Sequence, residues 1–328
     1  PHQQAALYEA GYAGPAGKEA SLVSHEPASC GKQMSFNNYY DAHSALELIK
    51  DLSFYMPYAA SCVFVKHNNP CGVALAKDPV EAYRRAYLTD PIATMGGVLA
   101  VNRPVNRALA EAVMNSLDRW GREAGSHAFL LEVLVAPSFD PDAQSYIDQA
   151  RPWGPNLRRI ATGPMNYPRL ADERDMRRIT GGMIVQQRDL SGLDEDDWMT
   201  VTQRAPNAQE LSDLQLAWLV AKHTRSNAIV IARQGQVIGV GAGQASRLTA
   251  CRLAVQLARE NGHAHKLAGA VAASDGFFPF KDAPRVLLDA GVKAIIHPGG
   301  SKRDAESIAL CDEADAVMIM TTVRHFKH

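Results

Sequence analysis

The sequence predicts an α/β fold in two lobes, and three observations lead there. Segments with helical spacing of apolar residues alternate along the chain with short β-branched runs, which is the pattern of strands layered with helices. The length of 328 residues, 46% of them hydrophobic, is enough for one large core or two medium ones. A similar phrase also occurs twice, VKHNNPCGVALA in the first half and AKHTRSNAIVIA at 221–232 in the second. Each is an apolar segment, then Lys-His, then a short polar loop and a strand, as two related lobes would give.

The elements follow in order. Strands are expected at 62–65, 97–101, 132–136, 228–232, 237–241, 294–297 and 316–320, where β-branched and apolar residues cluster. Asp78 and Pro79 open a helix as N-cap and first residue, and Val80, Tyr83, Ala86 and Tyr87 give it one apolar face. A second helix runs over 247–261, with Leu248, Cys251, Ala254, Val255 and Ala258 on a stripe and Gly262 as its stop. The stretch 190–210, LSGLDEDDWMTVTQRAPNAQE, is acidic, carries a proline and lacks periodicity. The lobe boundary is placed there, giving lobes of 1–195 and 196–328.

Charge and cysteine usage exclude several classes. With 34 basic and 35 acidic residues the formal charge is −1, so no nucleic-acid footprint is present and a small-molecule partner is expected. Five cysteines, at 30, 62, 71, 251 and 311, show no CxxC spacing and suit a reducing, cytoplasmic compartment. No apolar run reaches the ~18 residues of a membrane span, and no signal-like segment opens the chain. The chain starts at Pro1 instead of methionine, so residues are expected upstream.

Four stretches carry candidate chemistry. In FVKHNNPCGVA, residues 64–74, an ammonium and an imidazole stand side by side where an apolar strand ends. His67, Pro70 and Cys71 echo the H-x-E and P-C-x-x-C pattern of zinc deaminases, but no glutamate follows His67 and Ala74 stands where the second thiolate belongs. Zinc is therefore not expected. VIGVGAGQASR at 237–247 departs from GxGxxG at Gln244; its glycines fit close packing, yet it puts Arg247 in the first turn of a helix. HPGGSKRD at 297–304 ends a strand before another helix, so its backbone donors suit a phosphate or carboxylate, and a plain tight turn is an equal reading. SDGFFPFKDAP at 274–284 sets three phenylalanines around a proline, as walls for a flat ligand would be. The chain ends RHFKH, one residue after the strand-like VMIMTT, which would tie that tail down.

In that order KHNNPCGVA, QASR, SDGFFPFKD, HPGGS and RHFKH resemble the transformylase half of the bifunctional AICAR formyltransferase/IMP cyclohydrolase family. PHQQAALY, GKQMSFNNYYDAHSALE, TDPIATMGGVLAVNR, EVLVAP, GGMIVQQRDL and SNAIVIA extend the likeness over nearly the whole chain. The resemblance implies two cytidine-deaminase-like α/β/α lobes without zinc. It implies formyl transfer from 10-formyltetrahydrofolate, a co-substrate, to the 5-amino group of AICAR. By resemblance His67 is the base, and Lys66 stabilises the oxyanion and protonates the departing N10. Asn227 and Asp282 position folate and formyl, and Phe277, Pro279 and Phe280 contact rings. Asn38, Met95, Gly96, Glu132, Arg247, Arg324 and Phe326 hold AICAR, with Arg324 for its phosphate. Thr224, Ser226, Asp275 and His328 lie near a monovalent-cation site for K+. A cytoplasmic homodimer with shared active sites is implied, without nucleic-acid or membrane partners.

The departures are an Arg-Tyr-Gly stretch missing before PHQ, Met95 in place of a phenylalanine, and Ala283 in place of a polar residue. Nothing resembles the cyclohydrolase half, and no cyclohydrolase activity is expected. A deaminase-like nucleotide hydrolase and a non-catalytic folate or nucleotide binder are the alternatives.

Overall fold

The computed structural model describes residues 6, 20–23, 32–166 and 173–328. The PHQQAALY segment, apart from Ala6, and Cys30 lie outside these described residues. The first half of the chain runs α1 (Phe36–Tyr55), β1 (Ala60–Lys66), β2 (Asn69–Ala76), α2 (Pro79–Tyr87), β3 (Gly97–Val101), α3 (Arg107–Met114), β4 (Leu131–Ala136), α4 (Pro141–Ala150) and β5 (Arg158–Ala161). A hairpin of β6 (Arg174–Ile179) and β7 (Gly182–Gln187) and a short β8 (Met199–Thr200) follow. The second half runs α5 (Ala208–Lys222), β9 (Ile229–Arg233), β10 (Gln236–Gly241), α6 (Arg247–Glu260), β11 (Val271–Ser274), α7 (Asp282–Asp289), β12 (Ala294–His297), α8 (Asp304–Glu313) and β13 (Val317–Met320).

Among the described residues eleven strands form one sheet in the order β5-β4-β3-β1-β2-β10-β9-β11-β12-β13-β8, and β6 pairs with β7 in a separate two-stranded sheet. Each half repeats one plan. An antiparallel hairpin is flanked by a strand antiparallel to its first member, and two more strands continue parallel to that one. The halves meet where β10 runs antiparallel to β2, with Gln236 opposite Ala74. A half-turn about an axis between these strands therefore superposes one plan on the other. The two hairpin turns consequently fall at opposite ends of the sheet.

Strand periodicity sorts the side chains into layers. Val63 and Val65 of β1 and Val230 and Ala232 of β9 point to one face and share a single core with α1 and α5. The alternate residues Cys62 and Phe64 pack instead with Tyr83, Tyr87 and Leu109 of α2 and α3. Ile229 and Ile231 likewise pack with Ala254 and Leu287 of α6 and α7. The two halves are thus joined by one core across α1 and α5 and carry separate cores on the other face.

The two helices expected in full are found. Asp78 caps α2 by accepting the Glu81 N–H at 3.0 Å, and α6 stops before Gly262, whose φ is +80°. The glycine run has the close-packing role. A Cβ on Gly239 would lie 2.2 Å from the Ala254 carbonyl oxygen, and one on Gly241 would lie 1.9 Å from that of Ala250. Gly72 of β2 has the same relation to Ala86 of α2, at 2.2 Å. These positions let helix and strand backbones touch, so the duplication is written into packing as well as topology.

The repeated Lys-His phrase does not mark equivalent places. Lys66 closes β1, whereas Lys222 ends α5 and His223 caps it. Two buried helical side chains have different neighbours from a strand-end turn. Lys222 and His223 meet Asp51 of α1 at 3.0 and 2.6 Å. The true counterpart of the Lys66-His67 turn is Arg233-Gln234, at the β9–β10 turn.

Candidate active site

The half-turn relation decides what gathers at the sheet end carrying the β1–β2 turn. From the first half come the starts of β3 and β4. From the second come the start of β9 and the ends of β10, β11, β12 and β13. Nearly all the sequence-predicted residues lie at this end.

Lys66 pairs with Asn69, leaving His67 and Asn68 as the two turn residues. Both are left-handed, with φ of 55° and 62°, as a two-residue hairpin turn requires. The Asp41 carboxylate of α1 accepts both of their backbone N–H groups, His67 at 3.1 Å and Asn68 at 2.7 Å. The His67 imidazole is exposed and has no hydrogen bond or ion pair among the described residues. The Lys66 ammonium donates to the Met95 carbonyl at 2.8 Å, beside Gly96 with its φ of 69°. An ammonium has three donors, so two remain for a ligand. Burial pushes the nearby Cys71 thiol up to about 12, so it stays protonated at neutral pH.

The second cluster is built on the loop before β9. Arg247 donates to Asp275 Oδ1 at 2.5 Å, to Ser274 Oγ at 2.7 Å and to Asn227 Oδ1 at 2.7 Å. Asp275 also accepts from the Ser226 hydroxyl and from the Ala228 N–H at 3.1 Å. Asn227, joined to Ser226 by a cis peptide bond, donates its amide to the Gln244 carbonyl at 2.7 Å. A Cβ on Gly276 would lie 2.5 Å from Arg247 Nη2 and 3.1 Å from the Phe326 ring, so glycine there lets the two approach. Arg324 lies over the Phe277 ring at 4.9 Å.

The two clusters are tied together. Asn69 Oδ1 accepts the Arg225 N–H at 3.1 Å. Ser44 donates to Asn68 Oδ1 at 3.0 Å and accepts from Lys327 at 3.4 Å. The C-terminal tail is tied down, as expected: Lys327 O accepts the Ser226 N–H at 2.9 Å and His325 Nδ1 bonds Asp189 at 2.6 Å. Burial draws the Lys327 ammonium down to about 8.

Other predicted residues have their groups engaged locally. Asn38 closes the capping box of α1 with Ser35. Glu132 pairs with Arg158 at 2.6 Å. Asp282 accepts the Ala283 N–H at 2.8 Å where α7 begins. Thr224 donates to the Val220 carbonyl at 2.7 Å, and His328 is exposed, its ring centroid 6.2 Å from that of Phe326. The three phenylalanines do not form one wall: Phe278 is buried against His297, Phe277 lies under Arg324, and Phe280 is exposed beside Arg303 with Pro279 also exposed. In HPGGS the Gly300 and Ser301 N–H groups bond Asp304 at 2.7 and 3.0 Å, so the plain turn describes this loop. Sequence reasoning missed Asp41, which only the fold relates to Asp213 of α5, and buried His297. Among the described residues no group of three or more His, Cys, Asp or Glu is placed to hold a metal ion, and no helix is long and apolar enough to cross a membrane.

One end of a mixed α/β/α sheet thus presents an ammonium and an imidazole together with a network of Arg247, Asp275 and half-buried Asn227. The AICARFT/IMPCHase bienzyme family model matches residues 1–257, and the chain belongs to that family. It is 41% identical over 334 aligned positions to the bifunctional purine biosynthesis protein PurH of Magnetococcus marinus, covering all of this chain and 58% of that protein. The PurH proteins of Roseobacter denitrificans and an Anaeromyxobacter species are 39% and 38% identical, again over the whole chain and 58% of each relative. The chain therefore spans somewhat more than half the length of these relatives.

Proposed function

We propose that this chain transfers the formyl group of 10-formyltetrahydrofolate to the 5-amino group of AICAR, a step of purine biosynthesis. The observation that carries the reading is the left-handed turn that displays Lys66 and the unpaired His67 imidazole beside the Asn227–Arg247–Asp275 network. The amine of AICAR is a weak nucleophile, because its lone pair is delocalised into the ring and carboxamide. Its attack on the formyl carbon needs a base, which His67 supplies. Lys66 stabilises the tetrahedral oxyanion and protonates N10 as the C–N bond to tetrahydrofolate breaks. Arg247, Met95, Gly96, Asn38, Glu132 and Phe326 hold the nucleotide and Arg324 its phosphate. Asn227 and Asp282 position the formyl group, and Phe277, Pro279 and Phe280 take the rings.

The two halves are read as cytidine-deaminase-like α/β/α lobes, 1–195 and 196–328, without zinc; the repeated strand order supports this. The hydroxyls of Thr224 and Ser226 and the Asp275 carboxylate supply hard oxygens near His328 for a monovalent cation, K+ by this reading. Arg247 already compensates Asp275, which suits an ion of low charge. A cytoplasmic homodimer with shared sites completes the picture. Met176, Ile179, Met183, Ile184 and Val185 leave an apolar surface exposed on the β6–β7 hairpin, in keeping with a subunit contact. Light scattering tests it: a dimer mass is expected, and a fully active monomer rejects it.

The catalytic reading is tested by absorbance-monitored release of tetrahydrofolate when AICAR and 10-formyltetrahydrofolate are mixed with the protein. Release dependent on both substrates is expected. A chain that binds both ligands and releases none contradicts the proposal.

A further inference from the structure

We infer that Asp41 is a positioning residue for the reaction, acting through the backbone of the Lys66-His67 turn; this rests on the reading just given. The two halves of the chain supply the comparison. Asp41 is the sixth residue of α1 and Asp213 the sixth of α5. Asp213 accepts the N–H groups of both β9–β10 turn residues, Gln234 and Gly235, at 2.7 Å each. Asp41 accepts those of His67 and Asn68 at 3.1 and 2.7 Å. A carboxylate clasp on a left-handed turn has thus been kept at both ends of the sheet.

The turns differ in what the clasp must hold. Gln234 and Gly235 have φ of 50° and 73°, so a glycine takes the second left-handed place and bears it without steric penalty. In the first turn both places carry a Cβ, at φ of 55° and 62°; Asn and His are among the residues that enter this region most readily, yet it costs each of them more than it costs glycine. That turn therefore depends more on its two charge-assisted hydrogen bonds. It also carries the imidazole and follows directly on the ammonium. When Asp41 is lost, the turn relaxes toward right-handed backbone and moves His67 away from the amine it deprotonates. Nucleotide contacts made by Arg247 and Arg324 are left in place.

The experiment measures tetrahydrofolate release and Tm for the full chain and for Asp41→Ala, Asp213→Ala and Asp41→Ala/Asn68→Gly. For Asp41→Ala, kcat falls by roughly 10- to 100-fold while KM for AICAR changes by less than about threefold, the signature of misplaced chemistry. Asp213→Ala lowers Tm with kcat within about twofold of wild type. Asn68→Gly restores the Asp41→Ala enzyme at least about tenfold, because glycine removes the cost of the left-handed backbone. Equal kcat losses in Asp41→Ala and Asp213→Ala, or an Asp41→Ala enzyme with unchanged kcat and only a lowered Tm, overturn the inference. Should Asp41→Ala not fold, Asp41→Asn, which keeps one acceptor oxygen, carries the test: a loss of roughly tenfold in kcat supports it, and none overturns it. A wild-type chain that releases no tetrahydrofolate overturns the catalytic reading, and the inference with it; a wild-type chain that does, with Asp41 dispensable, overturns the inference alone.

Discussion

Asp275 is fully buried, and its charge is matched by Arg247, which also holds Asn227. Removing one partner of a buried pair leaves the other uncompensated, so Arg247→Met should lower unfolding free energy by about 3–5 kcal/mol. Urea denaturation checks this, and a loss below about 1 kcal/mol would mean that water reaches Asp275. His297 gives a pH signature. It is fully buried, and burial, aided by the positive charge of Arg247, holds its imidazole down to about 4. An unfolded histidine takes its proton near about 6.5, so between these values the unfolded state binds more protons and stability falls as pH falls. A His297→Gln variant should lose less stability than wild type between about pH 6.5 and about pH 4, as denaturant midpoints at the two ends would show. Lys66 and His67 stood out because charged groups where an apolar strand ends are conspicuous, and Arg247 because a glycine-rich turn sets it at the start of a helix. Asp41 was not: an acid in the second turn of a helix normally reads as a solvated face, and only the fold shows the turn it clasps.

At the level of elements, several short apolar strands and two helices, α2 and α6, were legible; the capped α1, α3 and α5 were not, nor were strands such as β2 and β11. Residues 69–76 form β2, yet NNPC reads as loop. A two-residue turn already ends at Asn68, and Pro70 is tolerated where β1 and β2 fall out of regular register. β11, with the sequence VAAS, is too short and alanine-rich to announce itself and is held by β9 and β12 on either side. The glycine run invited a ligand reading because a close-packed strand and a phosphate loop use the same residue. Gly241→Ala places a methyl 1.9 Å from the Ala250 carbonyl oxygen, and should destabilise by about 1–3 kcal/mol or more as β10 is pushed off α6. Gly262→Ala, at φ +80° with nothing within 4 Å, should cost only the left-handed backbone, about 1–2 kcal/mol. Thermal melts of both variants test the order. If Gly262→Ala is the more damaging, close packing does not explain the run.

For the whole molecule, duplication was legible from the wrong evidence. The repeated Lys-His phrase suggested two related lobes, but its second copy ends a helix. The repeat resides in strand order, in the Gly72 and Gly239 contacts and in the paired Asp41 and Asp213 clasps. These are relations between distant residues, so a linear reading does not reveal them. The antiparallel junction of β2 with β10 gives the arrangement its consequence. It brings the β1–β2 turn of one half to the sheet end where the other half places Asn227, Arg247 and Asp275. On the proposed function, Lys66 and His67 act on charge and protons that develop only in the transition state. The most direct measurement is kcat for tetrahydrofolate release by Lys66→Ala and His67→Ala, with calorimetric binding of AICAR to each. The expected result is a kcat lower by roughly 10²–10⁴ with AICAR affinity nearly unchanged. Weakened AICAR binding with kcat at saturation intact would contradict it and make the turn a binding loop.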